Sequence, residues 1–270
     1  MKVVRTVRRG SKGTPSDRNH LLYPVLNTYL SCPYKYYLAY EEKLQWEKVP
    51  SGVAFGSAMH RTIEEYNRRL SNGGMYENAA IEFFADQWNA ESGREGIEFR
   101  NPDEREQLMD KGRRLIQLYS QQFADMKPQA VERSFRLPIL DISTGAFEAS
   151  RDILGRMDLV ADSGVIEIKT SGRSINQRTV DTSLQLTLYS WAYRMIFGLE
   201  EKSLKTIALL KTAKPTVQIV ETCRTAEDHS RLMELISQVI RAVELRVFYR
   251  NPATRYGCDG CVYRIACGGI

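Results

Sequence analysis

The sequence predicts a mixed α/β fold whose core runs helix, three strands, helix and strand, with a helical insertion after the first core helix. Three observations predict it. Apolar residues recur at helical spacing as far as about Ala124, the period changes to two from Val131, and helical periodicity returns on either side of two further strand-like runs beyond Thr182. Neither an internal repeat nor a low-complexity linker interrupts residues 20–270, so one domain is favoured over the two that 270 residues could also form.

Residues 1–19 carry Lys2, Arg5, Arg8, Arg9, Lys12 and Arg18 without an apolar period and read as a flexible basic arm. Leu22, Leu26, Tyr29 and Leu30 then give a short helix that presents Cys32 near its end, with Pro33 behind it. Ser57 is placed to cap a helix running to Leu70, with Met59, Ile63, Tyr66 and Leu70 as its buried stripe and His60 and Glu64 on an adjoining face. A second helix spans about Met75 to Glu91. A third opens with Asn101 as cap and Pro102 at its first position and continues to about Ala124, so that residues 61–128 form the insertion.

From Val131 the residues Val131, Phe135, Leu137 and Ile139 share one side of a strand. The runs 146–150, 152–161 and 165–169 follow, the last two joined at Asp162 and Ser163, which makes a three-stranded meander. A helix from Thr182 to Phe197 stops at Gly198, strands cover 204–211 and 216–221, and Thr225 with Asp228 opens an amphipathic helix through Leu232, Leu235, Ile236, Val239, Ile240 and Val243.

Composition excludes several classes. With 43% hydrophobic and 26% charged residues the chain is neither disordered nor collagenous, and no window reaches the roughly 18 to 20 apolar residues of a spanning helix. The basic start lacks the apolar stretch of a signal peptide, so a soluble, cytoplasmic protein without membrane contact is expected. A net charge of +5 permits an anionic partner but is too small for a passive nucleic-acid coat. Five cysteines, an odd number, argue against a secreted disulfide framework. Cys258, Cys261 and Cys267 crowd the end as C-x2-C-x5-C, Cys32 stands alone, and Cys223 reads as an ordinary thiol. Four thiolates in a one-plus-three arrangement can hold zinc or an iron–sulfur cluster.

Glu-x-Lys occurs at 41–43, 167–169 and 200–202, and only the middle copy lies in a buried strand. Glu167 and Lys169 there project from one face while Ile166 and Ile168 fill the other. A two-residue turn at Asp162–Ser163 pairs positions whose numbers sum to 325, which sets Asp158 opposite Glu167. Two adjacent carboxylates repel unless a cation lies between them, so the pair predicts a divalent-metal site. Oxygen ligands suit Mg²⁺ or Mn²⁺, and the His60 imidazole leans the choice toward Mn²⁺. Lys169 beside that metal can orient or deprotonate a water and stabilise charge on a pentacovalent phosphate, a chemistry that amounts to phosphodiester hydrolysis.

These residues resemble the RecB-like branch of the PD-(D/E)XK nuclease superfamily, close to the CRISPR-associated RecB-like exonucleases with an iron–sulfur cluster. Gly56 to His60 resembles the G-x-x-x-H motif, Gly155 to Asp158 G-x-x-D, Glu167 to Thr170 E-x-K-T, and Gln185 to Tyr189 Q-x-x-x-Y. Residues 23–38 resemble the family's S-x-S-x-L-x-x-Y-x-x-C-P-x-x-Y start, without either serine, and the likeness runs from about 22 to 267. The hundred or so residues between His60 and Asp158 are long for a compact member.

The resemblance implies a restriction-endonuclease-like αβββαβ core. It implies His60, Asp158, Glu167 and the Ile168 carbonyl as ligands of Mn²⁺ or Mg²⁺, with Asp158, Glu167 and Lys169 as the catalytic set. Gln185 and Tyr189 would hold the DNA backbone. Cys32, Cys258, Cys261 and Cys267 would bind a 4Fe-4S cluster stapling the two ends together, and the lone Cys32 favours that over zinc. The expected function is a metal-dependent DNase, an exonuclease on single strands or exposed ends. The alternative is a non-catalytic subunit of a helicase-nuclease or CRISPR-adaptation assembly, which the intact residues at 158, 167 and 169 disfavour.

Overall fold

The computed structural model describes residues 20–45, 48–140, 147–252, 258 and 261–268, so the basic arm lies outside it. Strand β1 (His20–Leu22) runs directly into α1 (Tyr23–Ser31), where Pro24 occupies the first turn and its missing N–H leaves no bond unmade. Cys32 is extended and ends α1, and Pro33 starts α2 (Pro33–Tyr36), which continues as a π-helical turn over Tyr37–Glu41. Then come β2 (Val49–Pro50), α3 (Ser51–Leu70), α4 (Glu77–Ser92), β3 (Ile97–Glu98), parallel to β2, and α5 (Glu104–Gln122).

Two of these helices start elsewhere than the sequence reading has them. Helix α3 begins at Ser51, because buried Ala58, Phe55 and Ala54 carry the apolar stripe back past Ser57, which therefore sits inside the helix and caps nothing. Asn101 does not cap α5. Its side-chain oxygen accepts the N–H of Asp103 at 3.1 Å, an Asx turn, and the helix starts three residues on at Glu104. The three helices pack through Phe55, Phe84 and Trp88 in edge-to-face contact, and Gly112 of α5 is required because a Cβ there would sit 1.9 Å from the Phe84 ring.

Beyond the insertion, β4 (Pro128–Leu140), β5 (Phe147–Ala161) and β6 (Gly164–Ser171) form the antiparallel meander, residues 147–150 and 152–161 belonging to one strand rather than two. Asp162 and Ser163 both have positive φ, 52° and 60°, as a two-residue type I′ hairpin demands. The resulting pairs Ala161↔Gly164, Val160↔Val165 and Leu159↔Ile166 all sum to the expected 325. Helices α6 (Gln177–Asp181) and α7 (Leu184–Phe197) cross to β7 (Leu204–Leu210), parallel to β6, and β8 (Thr216–Thr222) returns antiparallel. Ser183 caps α7, so it starts two residues later than expected, and it stops at Gly198, whose φ is +67°. A Thr225–Asp228 capping box opens α8 (Ala226–Glu244), and α9 (Arg264–Cys267) lies near the end.

Apolar cores cover both faces of the sheet. Leu26, Met157, Leu186, Leu188 and Ile236 lie on the side of α1, α7 and α8, and Phe55, Met59, Leu115, Ile166 and Ile207 on the side of α3, α4 and α5. Among the described residues, no helix is long and apolar enough to cross a membrane.

Candidate active site

One edge of β5 is shared. β1 pairs with it from Asp152 to Leu154 and β6 from Leu159 to Ala161, which leaves Gly155 to Asp158 without a ladder partner on that edge among the described residues. The G-x-x-D motif therefore lies where the sheet splits. Gly155 is needed because the Phe135 ring on β4 would lie 2.3 Å from a Cβ at that position. At Asp158 the ladder would continue to Glu167, but the strands part, and Asp158 Oδ2 accepts the Ile168 N–H at 2.9 Å in place of a ladder carbonyl. Its Oδ1 accepts from the Tyr189 hydroxyl at 3.0 Å, and that hydroxyl accepts from the Gln185 amide at 2.8 Å. Gln185 and Tyr189, one turn apart on α7, are thus turned inward onto Asp158.

A residue that sequence reasoning missed completes the group. Glu132 of β4 lies between the pairs Val131↔Leu159 and Arg133↔Met157, hence across from Asp158, and its φ of 52° is one that a non-glycine residue adopts at a cost. Its Oε1 lies 2.5 Å from His60 Nε2, and its other oxygen is ion-paired with Arg156. Ligand atoms of His60, Glu132 and Asp158 all fall within 4.8 Å of one another. The one signal that could have found Glu132 is the β4–β5 register, which depends on a connection, 141–146, without a turn motif.

Glu167 is buried and Lys169 is 40% exposed in its side chain; they lie on one face as expected, with Oε1 and Nζ 2.9 Å apart. Glu167 Oε2 accepts from the Thr206 hydroxyl at 3.1 Å, while Oε1 makes no hydrogen bond. Glu167 is not one of the three convergent ligands but adjoins them, since its charge acts on both Asp158 and Tyr189. Tyr23 contacts the Gln185 backbone beside Glu167, and burial followed by that charge raises its pKa. Burial pushes Asp158 up to about 6, against the pull of His60 and the Ile168 N–H, with Glu167 and Glu132 adding repulsion. His60 is raised, first through its bond to Glu132. A mutually repelling set of carboxylate oxygens with one imidazole fits a divalent cation with hard ligands.

The family model for the PD-(D/E)XK nuclease superfamily matches residues 23–268. The chain belongs to that superfamily. Its architecture is the mixed α/β core of PD-(D/E)XK nucleases, a family that uses divalent metals. A crystal structure of a candidate exonuclease from Eubacterium rectale resembles this superfamily member with a TM-score of 0.52 and 11% identity, over 95% of this chain and 93% of that one. No curated protein matches it in sequence.

The cysteines of this PD-(D/E)XK chain lie in a second region. Cys32 sits between α1 and α2, and Cys261 N–H bonds to the Cys258 carbonyl at 3.1 Å. The terminal segments meet through Tyr34 N–H to Tyr249 carbonyl at 3.0 Å, Tyr29 hydroxyl to Val247 carbonyl at 2.7 Å and Tyr263 hydroxyl to Leu44 carbonyl at 3.1 Å. Arg250 lies 4.7 Å over the Tyr34 ring and bonds to Cys267, linking the third C-terminal cysteine to the residue two past Cys32. The four thiols do not draw within the 4.8 Å that unites the metal ligands. Cys223 is exposed and apart.

Proposed function

We propose that this chain is a metal-dependent DNase, an exonuclease acting on single strands or exposed ends. The observation that carries the reading is the convergence of His60, Glu132 and Asp158 at the split edge of β5, with Glu167 and Lys169 beside them. His60, Asp158, Glu167 and the Ile168 carbonyl would hold Mn²⁺ or Mg²⁺, with Glu132 as an additional carboxylate. Such an ion supplies Lewis acidity toward the phosphoryl oxygen and acidifies a water. Lys169, its ammonium half in solvent, would orient the attacking water and stabilise charge on the phosphate. Tyr189 holds Asp158 in place and Gln185 holds Tyr189.

The four cysteines offer the donor set of a 4Fe-4S cluster, which would fasten the two segments where Tyr29, Tyr34 and Leu44 already bond to Val247, Tyr249 and Tyr263. The exonuclease assignment follows the family resemblance, and the Eubacterium rectale neighbour carries the same description.

The test is end-labelled linear and circular DNA, single- and double-stranded, with and without Mn²⁺. Mn²⁺-dependent shortening of linear strands with circles left intact is expected. Cutting of circles at the rate of linear strands would overturn the exonuclease assignment, and absence of any cleavage the nuclease one.

A further inference from the structure

Lys211 follows β7 and packs against α3. Its ammonium lies 4.9 Å from the Phe55 ring centroid, and a Cβ on Gly52 would come within 3.2 Å of Nζ. The charged groups that act on it are Arg100, Glu104 and Lys111. Glu104 is already engaged: its carboxylate takes the Arg100 backbone N–H and Nε, each at 2.6 Å, and bonds to the Ser51 side chain. Among the described residues neither Lys211 nor Lys111 has an ion-pair partner. Three cations therefore surround one satisfied carboxylate, and burial together with Arg100 and Lys111 pushes the Lys211 ammonium below its usual range. The first turn of α3 has no side-chain cap, so its positive end adds to the same field.

This cluster is aligned with the metal centre. Gly52, Gly56 and His60 recur every four residues along one stripe of α3. Gly52 meets Lys211, Gly56 meets Thr170 of β6, whose Oγ1 would lie 3.3 Å from a Cβ there, and His60 meets Glu132. Eight residues of helix separate the ends of the stripe by about 12 Å, a few nucleotides of one strand. Glycine at both positions lets Lys211 and Thr170 lie close against the helix.

We propose that Lys211, Lys111 and Arg100 form a phosphate-binding subsite for the nucleic-acid backbone, a few nucleotides from the phosphate that is cleaved. The inference rests on the nuclease reading above and gives that site a substrate path. It is tested by fluorescence anisotropy with labelled single strands, in a K169A background that leaves the strand uncut. K211Q should weaken binding of long strands about five- to tenfold and lower the salt slope by about one, leave the shortest strands unaffected, and K211R should restore most of the loss. K111Q, with no ion pair to break, should repeat the effect at about two- to threefold and serves should K211Q fail to fold. Unchanged affinity and slope on long strands in both glutamine variants, in a protein whose wild type cleaves DNA, would overturn the subsite and leave the nuclease reading intact. A wild type that neither binds nor cuts would overturn both.

Discussion

Asp158 and Glu167 are placed by the sheet, each on a strand flanked by others and fixed by hairpin register, and His60 is held against them by a 20-residue helix packed on the same sheet. The cysteines have no such frame. They stand at the ends of short helices or in turns, and the segments bearing them meet through a few hydrogen bonds and ring contacts spread over residues 29–44 and 246–267. A site built from register needs no ligand to assemble it and stores repulsion among its acids until a cation arrives. The cysteine segment stores little, and its cohesion rests on those few contacts. The two regions should therefore fail differently, one by losing chemistry with the fold intact, the other by losing the fold first.

The sharpest test of that contrast is Lys169→Ala or Asp158→Ala. Each is expected to reduce cleavage by on the order of 10³-fold while circular dichroism and DNA affinity stay close to wild type, because backbone contacts elsewhere dominate binding. Residual cleavage within tenfold of wild type would show that these groups are not the chemistry.

Next in size, Glu132→Gln should weaken Mn²⁺ binding about 10- to 100-fold by calorimetry, whereas Lys169→Ala should leave it unchanged, since an ammonium cannot ligate. Equal Mn²⁺ affinity in Glu132→Gln and wild type would reduce Glu132 to a partner of Arg156.

In the other region, if a cluster links residues about 225 apart, Cys32→Ser or Cys261→Ala should lower the melting temperature by on the order of 10 °C, and anaerobically purified wild type should be brown where these variants are colourless. Cys223→Ser should do neither. Full thermal stability with lost cleavage in Cys261→Ala would reverse the contrast and give the cysteines a direct part in substrate engagement.

The smallest effect concerns pH. A carboxyl whose pKa is raised on folding favours the native state at low pH, and that contribution is lost as pH rises through the folded value, here about 6 for metal-free Asp158. Melts of wild type minus those of Asp158→Asn, without metal, should therefore decline between pH 4 and 7 by on the order of 2–3 kcal/mol. A flat difference would mean that Asp158 is better solvated than its burial implies.

What could be read in the sequence follows the same division. The Asp162–Ser163 turn has one short geometry, so the 158/167 neighbourhood could be derived by addition, and period two put Glu167 and Lys169 on one face. Gly198 and the Thr225–Asp228 box ended and opened their helices as local chemistry requires. Glu132 was hidden because its register is set across residues 141–146, whose sequence has no two-residue turn signature, and because a strand residue at positive φ breaks the alternation on which parity reasoning rests. Ser57 and Asn101 misled for the reverse reason: each is a good capping residue, but buried Phe55 and Ala54 extended one helix past it and an Asx turn delayed the other. The contact between the cysteine segments depends on tertiary packing of Tyr29, Tyr34 and Tyr263, which no local pattern encodes.

Helix α1 has a consequence of its own. It is nine residues long, about 13 Å, with Tyr23 at one end against Glu167 and the Gln185 backbone, and Cys32 immediately past the other. A helix of that length is stiff along its axis, so it acts as a strut between the two regions. A displacement at Cys32 would be delivered to Tyr23 beside Glu167, and through the Gln185 backbone to the base of α7, where Tyr189 steadies Asp158. A cluster at Cys32, were it bound, would thus bear on the tolerance to which the acids are held, even though no cysteine lies among them.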